Sequence, residues 1–299
     1  VSTVKPPPAA EAAAAPSEWS YFPGCSLHST AREYDESTRA VCAALGISLR
    51  ELADWNCCGS TSAHSVNHQL ARLLPQRNLA LAGRTGLGLM IPCAACYGRS
   101  KAAEADLRAA AATGDGEVPA IPSRISHVLD VLADADVLLR LAAQVRRPLT
   151  GLRAVCYYGC LTSRPPRLTG AADYEDPQSM DQLLVAAGAA VMPWSFKTDC
   201  CGASLTLTRS DIVVRLVDRL LGMAQEAGAD CVVVACSMCQ ANLDARQRQT
   251  QVAGSDRPGI PVFYVTELLA LAMDLPGARG WWRRHLTDPV ALLTARGLA

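Results

Sequence analysis

Ten of the thirteen cysteines in this 299-residue chain fall into one pattern written twice. The first copy is Cys25, then Cys57-Cys58-Gly59, then Cys93-Ala94-Ala95-Cys96. The second is Cys160, then Cys200-Cys201-Gly202, then Cys236-Ser237-Met238-Cys239. In both, 33 residues separate the glycine from the next cysteine, 60–92 and 203–235. The paired cysteines and the C-x-x-C share one offset of 143, from 57 to 200 and from 93 to 236. Only the lead cysteines differ, with 31 residues between Cys25 and Cys57 and 39 between Cys160 and Cys200. Matched spacings of this length mark an internal duplication, so the chain must fold as two similar units.

Half the residues are hydrophobic and 19% are charged, the balance of a globular protein with a full core. The net charge is zero and no basic run stands out, which gives no general attraction for nucleic acid or anionic lipid. A disulfide framework belongs to short secreted chains. Here the N-terminus shows no charged segment followed by an apolar one, and no apolar run has the length of a membrane span. The cysteines are therefore expected as metal-held thiolates in a reducing cytoplasm.

Residues 1–17, with Pro6-Pro7-Pro8 and an Ala-rich run, read as a disordered tail. Strands are predicted at Trp19–Phe22, Leu49–Leu52 and Gly86–Ile91, and helices at Glu36–Leu45, Ser65–Leu81 (kinked at Pro75), Gly98–Ala112 and Ser126–Leu141. The second copy repeats the order. Its strands are Ala154–Tyr158, Ala190–Met192, Cys231–Ala235 and Pro261–Phe263, and its helices are Ser179–Ala187, Ser210–Ala227 and Thr266–Met273. Ile121-Pro122 with His127 to Leu132 parallels Ile260-Pro261 with Tyr264 to Leu269. The expected fold is α/β: two pseudo-symmetric halves, 18–147 and 148–275, each a mainly parallel sheet flanked by helices. Ligands of such sheets lie beyond the carboxyl ends of the strands, where Cys25, Cys93, Cys160 and Cys236 are expected. Residues 276–299 form a C-terminal segment.

A structural zinc takes four ligands, as does a cubane iron–sulfur cluster, but each copy offers five thiols. If all five bind, the centre is larger or more open than either. Cys57-Cys58 and Cys200-Cys201, each followed by Gly, are expected in a turn that aims both sulfurs at one site. The C-x-x-C pairs open helices, whose positive ends favour thiolate. Zinc with spare cysteines, or a dithiol redox pair, are the alternative readings. Cys42, Cys156 and Cys231 read as buried, inert thiols.

The repeated pattern resembles the cysteine-rich catalytic (B-type) subunit of heterodisulfide reductase. The likeness runs from Tyr21 to Met273 and rests on Asn56 to Gly59 with Thr61 to Ser65, Pro92 to Tyr97, Tyr157 to Cys160, and the insert Tyr174 to Asp181. It implies two non-cubane [4Fe-4S] clusters facing each other across a pseudo-twofold. Cys25, Cys57, Cys58, Cys93 and Cys96 would hold one, and Cys160, Cys200, Cys201, Cys236 and Cys239 the other. A disulfide or thiol substrate would enter between them. It further implies two partner chains of a heterodisulfide reductase-like complex, one ferredoxin-like and one flavin-bearing, since no ferredoxin-type C-x-x-C-x-x-C run occurs here. Members of that family often carry His after the Gly-Cys of the second copy, whereas this chain has Leu161.

His64 and Lys197 lie near cluster ligands in sequence. Each is a candidate proton donor or anion binder, and equally a turn cap or the partner of a carboxylate. Trp281-Trp282-Arg283-Arg284-His285 reads either as a docking surface for a partner or as cover for the core. Three functions compete: a redox subunit that acts on a disulfide or other sulfur compound; an electron-transfer subunit of a flavin-linked lactate, glycolate or succinate oxidoreductase; and a zinc-stabilised assembly module.

Overall fold

Short, continuous apolar runs become central strands when both faces of a sheet are covered. In the computed structural model, Gly88–Ile91, Arg153–Tyr157 and Cys231–Val234 do so, and their side chains are almost entirely buried. The structure describes residues 17–60, 62–114, 118–252 and 258–299. The tail expected at 1–17 lies outside the described residues, except for Ser17, which opens the first strand.

The first sheet contains β1 (Ser17–Tyr21), β2 (Ile47–Glu51), β3 (Gly88–Ile91) and β4 (Ile125–His127) in the order β2-β1-β3-β4. The second contains β5 (Arg153–Tyr157), β6 (Ala190–Val191), β7 (Cys231–Val234) and β8 (Val262–Tyr264) in the order β6-β5-β7-β8. Every pairing is parallel. The duplication seen in the cysteines thus extends to topology. In each sheet the strand order reverses between its two central strands, β1 and β3 or β5 and β7. That crevice is where ligands of open α/β sheets bind.

Two predicted helices are redrawn. The periodic stretch 126–141 divides into β4, a helix at Val128–Leu132 and another at Ala135–Gln144, with Asp134 accepting the Asp136 N–H at the break. Stretch 65–81 becomes Ser62–Val66 and His68–Gly83, separated at Asn67, whose side chain caps Leu70 N–H at 3.0 Å. Pro75 sits buried within the second of these helices. Helix Ala94–Thr113 starts earlier than its periodicity indicates, because Cys93 is its N-cap.

The halves share one core. Helix Arg32–Ala44 packs on helix Val265–Ala272. Tyr34 and Tyr264 stack there, fully buried, with ring centroids 4.2 Å apart and planes within 4°. Ser37 and Thr266 hydroxyls meet at 2.7 Å beside them. Trp281 and Trp282 are 6% and 4% exposed, so the C-terminal tryptophans cover this core and present no docking face. Among the described residues, no helix is long and apolar enough to cross a membrane.

Candidate cysteine-ligated redox site

Each set of cysteines is delivered by the carboxyl ends of adjacent parallel strands. Cys25 follows β1, Cys57-Cys58 follow β2, and Cys93 follows β3. Cys160, Cys200-Cys201 and Cys236 follow β5, β6 and β7 in the same way. Cys96 and Cys239 lie in the first turns of helices Ala94–Thr113 and Ser237–Val252.

The sulfurs of a set meet in pairs. Cys25 and Cys57 lie 3.7 Å apart, Cys58 and Cys96 3.3 Å, and Cys201 and Cys239 3.9 Å. Among the described residues, no group of three or more His, Cys, Asp or Glu side chains gathers as a single metal ion would require. The two sets touch where their strands end: Cys93 and Cys236 share a hydrogen bond, and the Ser237 hydroxyl lies 3.5 Å from Cys93 Sγ.

Backbone N–H groups point at these sulfurs, from Ser60 to Cys58 at 3.4 Å and from Gly202 to Cys200 at 3.3 Å. Gly59 and Ala203 do the same for Cys57 and Cys201. Such donors favour thiolate. A hydrogen bond from Cys25 draws Cys57 down to about 2 and pushes Cys25 up. Cys160 acts likewise on Cys200, which falls to about 6. Hydrogen bonds from Cys239 and then Cys93 hold Cys236 well below the ordinary thiol value.

Glycine makes room for the sulfurs. A Cβ on Gly24 would lie 2.8 Å from Cys96 Sγ, and one on Gly159 would lie 2.9 Å from Cys239 Sγ. Both glycines have left-handed φ, +75° and +69°. Ten sulfurs, the N–H donors aimed at them and glycines that leave space beside them fit sulfur ligation of an iron–sulfur group.

A cavity of about 170 Å³ opens between the halves. All five cysteines of the second set line it, Cys160, Cys200, Cys201, Cys236 and Cys239, and none of the first. The opposing wall is Ser60, Ala94, Ala95 and Arg99, from the CCG turn and the C-x-x-C helix of the first half. The two sets therefore do not face one shared cleft symmetrically. Leu161, in place of the His common in the resembled family, forms part of the lining.

Neither candidate proton donor lines this cavity. Lys197 is 6% exposed, with ion pairs to Asp176 at 2.7 Å and Asp181 at 2.8 Å and a hydrogen bond to Pro177 O at 3.1 Å. Burial opposes its charge, but those carboxylates outweigh it and raise its pKa. Lys197 thus pins the insert beside the Tyr158–Cys160 turn. His64 is half-buried, with no hydrogen-bond partner at Nε2. Burial, then Arg99 and His68, lower its pKa.

Two features escaped sequence reasoning. Arg99 is the one charged side chain among the described residues of the lining, apart from the cysteines. His127 Nδ1 accepts Leu129 N–H, leaving Nε2 to donate to Pro92 O at 2.9 Å and Ala235 O at 3.1 Å. Those carbonyls directly precede Cys93 and Cys236, so His127 clasps the two sets together. The signal for Arg99 was its place three residues after the C-x-x-C. For His127 it was the parallel with Tyr264.

Comparison with known proteins agrees with this geometry. A family model described as a cysteine-rich domain, CCG, matches residues 19–99 and 154–244, one copy per half. The 8-methylmenaquinol:fumarate reductase membrane anchor subunit of Wolinella succinogenes is 30% identical over 283 residues, covering 92% of this chain and 99% of that one. The B-type subunit of the ferredoxin:CoB-CoM heterodisulfide reductase of Methanosarcina mazei is 26% identical over 271 residues, covering 85% and 88%. A crystal structure of a hypothetical protein from Helicobacter pylori superposes with a TM-score of 0.70 at 12% identity, over 91% of this chain. This chain spans 52% of that one, and the likeness concerns the fold alone. The two matched segments hold all ten duplicated cysteines, five in each, and the chain belongs to the CCG family of cysteine-rich domain proteins.

Proposed function

We propose that this chain is the iron–sulfur subunit of a larger oxidoreductase complex, acting on a disulfide or thiol in the cavity between its halves. The observation that carries this reading is the cavity wall, in which five cysteines stand opposite the first half's C-x-x-C helix. Cys25, Cys57, Cys58, Cys93 and Cys96 would hold one non-cubane [4Fe-4S] cluster, and Cys160, Cys200, Cys201, Cys236 and Cys239 the other. When bound, such clusters supply one-electron transfer and an iron position able to exchange a thiolate.

The remaining chemistry belongs to the chain. Ala94, Ala95, Leu161 and Met238 make an apolar wall that would exclude water from a bound S–S bond. Reducing a disulfide to two thiols takes two electrons and two protons. Because the second set lines the cavity, that set would take the substrate side. Cys25 and Cys57 are exposed outside the cavity, and there ferredoxin-like or flavin-bearing partners would exchange electrons with the first set.

A second reading draws on the Wolinella relative, which matches this chain almost end to end and is named for a fumarate reductase. On that reading the chain passes electrons within a dicarboxylate oxidoreductase, and Leu161 marks the loss of disulfide chemistry. Anaerobically purified protein separates the two. The disulfide reading expects about eight irons per chain and a changed paramagnetic signal on adding thiol or disulfide. Full iron with no response to either, and reduction by a fumarate or succinate partner, would establish the second reading. Stoichiometric zinc without iron would remove both.

A further inference from the structure

The cavity carries a charge that the fold itself does not need. Arg99 Nε donates to Ser60 O at 3.1 Å and so steadies the turn after Cys57-Cys58. The duplication shows how that task is done without charge. The position equivalent to Arg99, at the offset of 143, is Asn242. Its amide donates to Cys201 O at 2.7 Å and accepts from the Thr206 hydroxyl at 3.1 Å, and the residue is 5% exposed. A neutral side chain therefore holds the second CCG turn.

Arg99 is half-buried, lines the cavity, and has no carboxylate partner among the described residues. Burial lowers its pKa, the Cys58 sulfur partly opposing. His64 stands in the same positive field, its Nε2 buried and unpartnered. A guanidinium presents five donors in a planar fork that suits an oxyanion, and one is used here.

We propose that Arg99 is the anion-recognition residue of this cavity, so that the molecule it admits carries a carboxylate or sulfonate on an otherwise apolar chain. This rests on the proposed function only for the cavity being the substrate site. The anion would pair with Arg99 on the first-half wall, while the rest of the molecule extends along Leu161 and Met238 towards the second cysteine set.

Calorimetry on the anaerobic, cluster-loaded protein tests it with three probes of matched length: 3,3′-dithiodipropionate, the sulfur-free dicarboxylate suberate, and the uncharged bis(3-hydroxypropyl) disulfide. Arg99→Gln retains an amide donor for Ser60 O, copying the solution in the other half, and Arg99→Lys retains the charge. The two dianions should bind wild type about ten- to a hundredfold more tightly than the neutral disulfide. R99Q should erase that preference and leave the neutral disulfide unchanged, while R99K keeps part of it. Equal affinity of all three probes for wild type overturns the proposal. So does a preference that survives in R99Q, including the case where R99Q shifts only the redox potential, which would make Arg99 a counter-charge to Cys58. If suberate binds with Arg99 dependence and neither disulfide alters the paramagnetic signal, Arg99 stands and the disulfide reading falls.

Discussion

Single residues at this site are constrained by sulfur. Gly159 holds φ at +69° and would place a Cβ 2.9 Å from Cys239 Sγ. Gly159→Ala should cost about 1–3 kcal/mol and lower the iron retained by the second set. Urea unfolding and iron analysis check both, and full iron at unchanged stability would refute the cradle. Lys197 has a different role. Its ammonium lies between Asp176 and a buried Asp181, so Lys197→Met leaves a buried carboxylate unpaired. The expected loss is about 3–5 kcal/mol, read as a lower urea midpoint. A proton donor would instead lose turnover at unchanged stability. Proximity in sequence to Cys200 made Lys197 a site candidate. Where a side chain points depends on its partners, and those came from the insert upstream, Tyr174 to Asp181.

At the scale of elements, the C-terminal segment is a lid on the core. Trp282→Ala should destabilise by about 3–5 kcal/mol, seen as a depressed melting temperature. The same segment places His285 Nε2 3.0 Å from Glu267 Oε1, with both side chains fully buried. Burial disfavours charged His285, but Glu267 outweighs it and raises the pKa above the usual 6.5. Burial also raises Glu33 beside it above 4.5. Both groups bind protons more tightly in the folded state. Their stabilisation is therefore present in mild acid and declines as pH rises through their folded values. Urea midpoints should fall between mildly acidic and mildly alkaline pH, and His285→Phe should flatten the slope. β4 shows why element boundaries were misread. Ile125–His127 continues directly into an apolar helix, so its periodicity reads as helix. Pairing with β3, from Leu89↔Ile125 to Ile91↔His127, overrides that local signal.

At the scale of the whole molecule, the halves share topology but differ in what their sulfurs face. Cys160→Ser and Cys25→Ser should each lower iron towards half of about eight per chain. Cys160→Ser should abolish the response to disulfide, whereas Cys25→Ser should chiefly slow electron exchange with a partner. A symmetric response would contradict the assignment of the cavity to the second set. By itself the sequence determined the duplication, the mainly parallel α/β halves and the ten repeated cysteines, with Cys25, Cys93, Cys160 and Cys236 at strand ends. These follow from spacing and periodicity, which are local and survive in one dimension. Only the tertiary structure decided that the second set lines the cavity, that Arg99 faces it, that His127 joins the halves and that the tryptophans lie inside. Each of those depends on packing between segments distant in the chain, and one residue's neighbours across an interface leave no regular period in its sequence.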